Sequence, residues 1–381
     1  MRVTVLGCGL VGHAIAADLA TRGRFMVTAV DREVGRLARV AGLERVRTEV
    51  ANLANAGELA RVVADADLVV GAVPGFMGWA TVQRALELGK PVVDISFFPE
   101  DPFSLDELAR SRGLPAFVDC GVAPGCSNLL AGWATRRLDT VERFVCYVGG
   151  LPVVRTWPWE YKAPFSPADV LEEYTRPARF VERGTLVTKP ALTDPELVEF
   201  EGVGSLEAFN TDGLRSLLRT LAVPDMVEKT LRYPGYLEKV LVLRESGFLS
   251  TEPLRFGDTE VTPLALTSRL LLPLWHLGPD DEDVTLMRVV AEGRRGEARV
   301  RLRWELFDRY DRASRTASMA RTTGYTCTAV VRLWASGRLP QTGVVPLELL
   351  GQQEGIAAWI LADLAERNVR FEEREELLEG T

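Results

Sequence analysis

The sequence predicts an α/β fold: a doubly wound parallel sheet followed by a second, α+β domain. Three observations predict it. Short apolar runs alternate with helical segments over the first 118 residues. A glycine-rich turn follows the first of those runs directly. Past residue 139 the alternation stops, and strands and long helices come in blocks.

Arg2 to Leu6 reads R-V-T-V-L, the β-branched and apolar composition of a buried parallel strand. It runs into Gly7-Cys8-Gly9-Leu10-Val11-Gly12, and the chain turns helical from Ala14 to Ala20. A second apolar run, Met26 to Val30, ends on Asp31. Strand, G-x-G-x-x-G, helix, strand and acid each have a mechanical task in a dinucleotide-binding, or Rossmann, site. Gly7 permits the tight turn. Gly9 lets a pyrophosphate approach the backbone. Gly12 lets the helix lie close to the strand. The helix start at Leu10 and Val11 offers free N–H groups to the phosphates. Asp31, nineteen residues after Gly12, suits a carboxylate that accepts hydrogen bonds from ribose hydroxyls and repels a 2′-phosphate, which favours NAD over NADP. Arg32 beside it is the residue able to receive such a phosphate.

The alternation continues. Helical segments near Val34–Ala41, Gly57–Ala64, Gly78–Leu88 and Ser104–Arg112 separate apolar runs at Val46–Val50, Leu68–Val73, Pro91–Ile95 and Ala116–Val118. Ser104-x-x-Glu107 reads as a capping box. Six strands to Val118 complete a dinucleotide-binding sheet, whose ligands sit at the carboxyl ends of the strands. Three loops therefore matter. Ala72, Val73 and Pro74 are small enough for riboses to lie against backbone. Ser96 follows the fifth strand. Asp119-Cys120-Gly121-Val122-Ala123-Pro124-Gly125 follows the sixth and leads into a helix at Ser127–Leu138. Asp119 and Cys120 are the catalytic candidates there, with Gly121 placed against the cofactor.

After residue 139, Val141–Val148 reads as a strand and Trp157–Pro177 as an aromatic, proline-rich region. Val284–Glu292 and Ala298–Asp308 read as a hairpin. Asp212–Leu221, Thr262–Leu277 and Thr316–Ala335 read as helices, with His276 capping the second of them. Gln352–Asn368 is an amphipathic helix with Ile356, Trp359, Ile360 and Leu364 on one face, and the acidic tail Glu372–Glu379 reads as a solvated end. The domains divide at 1–125, 126–345 and 346–381.

Composition excludes several classes. A net charge of −8 and a pI near 5.2 give no reason to expect nucleic acid or an anionic membrane as partner. No apolar run reaches the ~18 residues of a membrane span. The first strand starts at the first residue, so no signal peptide is expected. Five scattered cysteines without a C-x-x-C pair point to reduced thiols and a cytoplasmic setting. Two histidines make a histidine-based metal site or a Ser-His-Asp triad improbable, and no metal is expected.

The loop D-C-G-V-A-P-G (119–125), G-G-L-P (149–152), F-S-P-x-x-V-L-x-E-Y-T-x-P-A (165–178), F-N-T-D-G-L-R-S-L-L-R-T (209–220) and E-K-T-L-R-Y-P-G-Y (228–236) resemble the saccharopine dehydrogenase-like superfamily. Within it they are most similar to the NAD-dependent lysine 6-dehydrogenases. The resemblance runs from Met1 to about Gly351. It implies a substrate domain built on a mixed sheet, a C-terminal segment returning to the first domain, a homodimer, and hydride transfer between an amino acid's C–N bond and NAD. Saccharopine-forming members tend to carry a tyrosine and an acid where this chain has Phe97 and Ala123, which leans toward oxidation of a free diamino acid.

A small amino-acid substrate needs a cation for its carboxylate. Arg215 and Arg232 are the candidates, with Tyr161, Tyr174, Asn210 and Tyr233 as neutral hydrogen-bonding groups. Glu173 or Asp212 can hold the α-ammonium; Lys162, one of five lysines, reads as solvated. The leading expectation is oxidative deamination of the ε-amine of lysine to a semialdehyde that cyclises. At pH 7 only about one amine in 2,500 is neutral, so a base such as Asp119 or a dry pocket must supply the reactive form. The alternatives are a saccharopine- or carboxynorspermidine-type reductase joining an amine to an aldehyde, and a non-catalytic NAD(H) sensor.

Overall fold

The computed structural model describes residues 1–22, 25–278 and 281–378. Its first domain contains β1 (Arg2–Leu6), α1 (Gly12–Thr21), β2 (Met26–Asp31), α2 (Val34–Leu37), β3 (Val46–Val50), α3 (Ala56–Val63), β4 (Leu68–Gly71), α4 (Gly75–Glu87), β5 (Val92–Asp94), a 3-10 turn (Pro102–Leu105), α5 (Asp106–Ser111) and β6 (Pro115–Val118). The strands are parallel in the order β3-β2-β1-β4-β5-β6, the doubly wound arrangement. Alternation along each strand feeds two cores. Val5, Val70, Val93 and Phe117 belong to one; Leu6, Val69, Val92 and Val118 belong to the other.

The second part contains α6 (Cys126–Arg137), β7 (Thr140–Pro152), α7 (Pro167–Thr175), β8 (Ala178–Glu182), β9 (Thr185–Lys189), β10 (Glu196–Phe200), β11 (Gly204–Asn210), α8 (Leu217–Thr220), β12 (Asp225–Arg232), α9 (Tyr236–Glu245), β13 (Leu254–Phe256), β14 (Thr259–Val261), α10 (Pro263–Leu274), β15 (Asp283–Arg295), β16 (Ala298–Arg309), α11 (Ser318–Ala335), β17 (Gly343–Pro346), α12 (Leu347–Gly351), α13 (Ile356–Ala365) and β18 (Phe371–Leu378). The large sheet runs β10-β11-β12-β7-β15-β16-β18, with β8 paired to β12 and β9 to β8. It is mixed, because β12 and β7 are parallel while their other neighbours are antiparallel.

The chain's last part differs from the sequence division. β17 already belongs to the first domain, adding a seventh parallel strand beside β6. Earlier still, α11 lies on the nucleotide sheet against α1. A Cβ at Gly324 would stand 3.2 Å from Ile15 Cγ1, so glycine suits this close crossing. Asp18 of α1 accepts hydrogen bonds from Thr328 and Arg332 of α11 and from Arg367 beyond α13. The tail is no solvated end: Phe371–Leu378 pairs with β16 as an edge strand, and its glutamates meet Arg137, Arg295 and Arg301. Residue 379 of that segment lies outside the described residues.

Other boundaries moved for local reasons. The segment read as a helix over 212–221 is helical only at Leu217–Thr220, because Arg215 holds a left-handed backbone (φ 47) that interrupts it. The helix read over 34–41 stops at Leu37. Asp101, not Ser104, caps the 3-10 turn that precedes α5; the Ser104 hydroxyl instead donates to the Asp101 carbonyl and accepts from Trp79. The strand read to Val148 continues through Gly149 and Gly150 to Pro152; a Cβ at Gly149 would stand 2.7 Å from the Leu231 carbonyl oxygen of β12. The helix read over 352–368 is helical at α13, Ile356–Ala365, with Ile356, Ile360 and Leu364 buried as expected; α12 precedes it. All five cysteines are buried and unpaired. Among the described residues no helix is long and apolar enough to cross a membrane, and no cluster of His, Cys, Asp and Glu could hold a metal ion.

Candidate active site

A cavity of about 600 Å³ starts at the Gly7–Gly12 turn, crosses the ends of β4, β5 and β6, and enters the second domain. Its nucleotide end is built as the spacing predicts. A Cβ at Gly12 would meet the Gly7 carbonyl oxygen at 1.9 Å, and one at Gly7 the Ala72 oxygen at 2.3 Å. Those glycines are there for close packing. Gly9 differs, because nothing lies within 4 Å of its Cβ position. That opening, in front of the α1 amides, is where a pyrophosphate fits. The residues present thus suit a dinucleotide. Leu10, Val11, Val73, Pro74, Ser96 and Gly121 line the same cavity.

Asp31 ends β2 with its carboxylate turned back to the turn. Oδ2 accepts the Cys8 N–H at 2.9 Å and Oδ1 the Glu33 N–H at 3.0 Å. Arg32 does not join it; its exposed side chain lies toward Glu33. The cations at this end of the cavity are Arg36, 3.8 Å from Asp31, and Arg39, which has no carboxylate within ion-pair distance among the described residues. Sequence proximity picked the neighbour along a strand, whose side chain points the opposite way. The cavity-facing arginines follow on α2 and the turn after it.

The catalytic candidates fall behind the wall. Cys120 is fully buried, its thiol donating to the Val118 carbonyl at 3.6 Å, and burial raises its pKa well above the usual thiol range. It is a core residue outside the cavity lining, not the catalytic group expected. Asp119 is also buried and does not line the cavity. Arg215 Nε lies 2.9 Å from each of its carboxylate oxygens. The expected base and the expected substrate cation thus neutralise each other.

Of the substrate-domain candidates, Arg232, Glu173 and Asp212 line the cavity, and the tyrosines, Asn210 and Arg215 lie behind its wall or stand apart. Arg232 donates to Tyr174 (3.1 Å), Tyr161 (3.4 Å), Glu173 (3.0 Å) and its neighbour's carbonyl. The rings of Tyr161, Tyr174 and Tyr236 surround its guanidinium. Tyr161 and Tyr174 are therefore second-layer residues that fix an arginine. Asn210 turns to Asp194 (2.8 Å) and Tyr233 to the Pro152 carbonyl (3.0 Å), both away from the cavity. His276 does not cap α10, whose last residue is Leu274; it is exposed and lines the cavity. Lys162 donates to the His276 carbonyl at 3.2 Å.

Sequence reasoning named Glu173 and Asp212 but missed Asp169, Glu172 and Glu228. Asp169, Glu172, Glu173, Asp212 and Glu228 line the second-domain end, against the guanidiniums of Arg176 and Arg232. Glu228 is 5% exposed and accepts the Thr211 hydroxyl at 2.7 Å, which in turn meets the Thr230 hydroxyl at 2.8 Å. Burial pushes the Glu228 carboxyl up to about 8, with the nearby Glu173 and Asp212 adding to it. Burial likewise raises Asp169 to about 6; its Oδ1 accepts the Gly75 N–H of α4 at 3.3 Å, a contact between the two domains. A signal existed for Glu228. Glu228, Thr230 and Arg232 alternate along one strand, so all three side chains face one side, and that side is the cavity.

Comparison with known proteins agrees with this architecture. Residues 3–117 match the family model described as Saccharopine dehydrogenase NADP binding domain, and residues 121–369 the one described as Saccharopine dehydrogenase C-terminal domain. A saccharopine dehydrogenase (NADP+, L-glutamate-forming) of Pyricularia oryzae is 25% identical over 266 residues, covering 66% of this chain and 58% of that protein. The Saccharomyces cerevisiae protein of the same description is 25% identical over 269 residues, covering 66% and 59%. An alpha-aminoadipic semialdehyde synthase of Arabidopsis thaliana is 25% identical over 258 residues, 61% of this chain and 23% of its own. The matched chain thus spans less than two thirds of these relatives. The apo structure of the L-Glu-forming saccharopine dehydrogenase from S. cerevisiae superposes with a TM-score of 0.78 at 18% identity, covering 98% of this chain and 99% of that one, which establishes the shared fold.

Proposed function

The chain belongs to the saccharopine dehydrogenase family, and on that premise we propose that it is an NAD(P)-dependent oxidoreductase that oxidises the side-chain amine of a free diamino acid, lysine being the first candidate. The observation that carries the choice of substrate is the second-domain wall, where five carboxyl groups face two guanidiniums; Arg179 binds Asp212 from outside the cavity, and burial keeps Glu228 protonated up to about pH 8. Both guanidiniums already have acidic partners, Arg232 with Glu173 and Arg176 with Glu172. Such a wall attracts an ammonium and disfavours a substrate carrying several carboxylates.

The roles follow from position. The Gly7–Gly12 turn and Asp31 hold the dinucleotide, which accepts a hydride when bound. Asp31 supports NAD. Arg232, fixed by two tyrosines, orients the substrate carboxylate, and Glu173 beside it takes the α-ammonium. Glu228 replaces Asp119 as the proposed base. A carboxyl with a pKa of about 8 is better matched to an ammonium near 10.4 than an ordinary glutamate is. The Thr211 and Thr230 hydroxyls steady it. Buried apolar surface around the cavity keeps water from competing for the proton.

A second reading has the relatives' names in its favour: reduction that joins an amine to an aldehyde. One assay separates the two. With NAD or NADP and a panel of amino acids, growth of the reduced-nicotinamide absorbance with lysine or a near homologue supports the amine oxidase. Turnover only with the reduced cofactor, an amino acid and an aldehyde together supports the joining reaction. Tight binding of the reduced cofactor without any turnover removes both.

A further inference from the structure

Asp119 and Arg215 come from different domains. Asp119 follows β6 at the end of the nucleotide sheet, and Arg215 lies between β11 and α8. Their side chains are 1% and 4% exposed. Arg215 Nη1 donates to the Phe98 carbonyl at 2.6 Å, and the guanidinium carbon lies 4.9 and 5.3 Å from the ring centres of Phe97 and Phe98. Both residues hold left-handed backbone, with φ of 53° and 47°, a conformation that costs a non-glycine residue about 1 kcal/mol. A buried ion pair is weak ground for stability, since desolvation offsets its attraction. Two strained residues and a desolvated pair therefore call for another role.

That role lies in what the pair touches. Neither residue lines the cavity, but Phe97 does, with Arg176 stacked 4.6 Å from its ring. The Asp119 loop runs directly into Gly121, Val122 and Pro124, which form the facing wall. In a doubly wound sheet the adenosine end of a dinucleotide lies toward β2 and its nicotinamide end over β4 to β6. We infer that Arg215 is a positioning residue for the nicotinamide ring: held in the substrate domain, it fixes the Phe97–Phe98 loop directly and the Gly121–Pro124 turn through Asp119, the two walls between which the ring is seated. The inference rests on dinucleotide binding alone and stands whichever amine is the substrate.

The test compares NADH with ADP-ribose, which keeps the adenosine and pyrophosphate and lacks the ring. Two variants are measured by calorimetry: Arg215→Lys, which keeps a charge beside Asp119 but loses the fork, and the double variant Arg215→Met with Asp119→Leu, which replaces the pair by apolar volume. The expected result is ADP-ribose affinity within about twofold of wild type and NADH affinity reduced at least about tenfold. Equal losses for the two ligands mark a merely structural pair and overturn the inference, as does no loss for either. Should the double variant fail to fold, the lysine variant carries the same comparison. Neither measurement needs turnover, so failure of the amine-oxidase reading leaves this result intact.

Discussion

Replacing Glu228 with glutamine tests the base directly, and the structure sets the size of two separate effects. The carboxyl is 5% exposed and pushed from 4.5 to about 8 by burial. In the folded protein it keeps its proton up to that pH, whereas the unfolded chain releases it near 4.5. Between those values the folded state binds more protons, so stability falls as pH rises. The loss is about 3 kcal/mol at pH 7 and levels off near 5 kcal/mol above pH 8. Glutamine keeps the shape and a hydrogen bond with Thr211 but cannot ionise. The variant is therefore expected to lack this slope and to exceed wild type in urea unfolding at pH 8. Its catalysis should move the other way, with kcat for lysine oxidation down by about 10²-fold or more. Wild-type kcat/KM should climb with pH up to about 8, as Glu228 ionises and more substrate amine is neutral. A Glu228→Gln protein with wild-type kcat, or one whose unfolding free energy keeps the wild-type pH slope, refutes the assignment.

Three further outcomes are expected. Asp31→Ser should raise the NADP-to-NAD ratio of kcat/KM at least about tenfold, because the repelling carboxylate goes while Arg36 and Arg39 already line the site; a wild-type protein that binds NADPH more tightly than NADH contradicts this. Gly9→Ala should leave stability within about 0.5 kcal/mol yet abolish tight NADH binding, whereas Gly12→Ala, with a Cβ 1.9 Å from the Gly7 oxygen, should fail to fold normally; thermal melts with and without NADH separate the two, and equal behaviour rejects the cradle. Asp18→Ala leaves Arg332 and Arg367 buried with Asp363 as their one remaining acidic partner among the described residues and should cost about 3 kcal/mol in urea unfolding; a change under about 1 kcal/mol would mean that Asp363 suffices to neutralise both.

What the sequence determined by itself is local and periodic. The Gly7–Gly12 turn, the acid at position 31, six alternating strands and the long hairpin of β15 and β16 were legible because each depends on backbone geometry within some thirty residues. The family-like motifs located the second-domain wall through Arg232. Tertiary structure decided the rest. It placed α11 and β17 on the first domain, because burying their apolar faces there joins segments more than 200 residues apart in the chain. It turned Arg32 outward and brought Arg36 and Arg39 in. It paired Asp119 with Arg215 and so withdrew both from the substrate, and it buried Cys120. Most of all, it raised the pKa of Glu228. That shift comes from removal of water and from acids contributed by other elements, a property of the assembled cavity that a residue's type and neighbours in the chain do not carry.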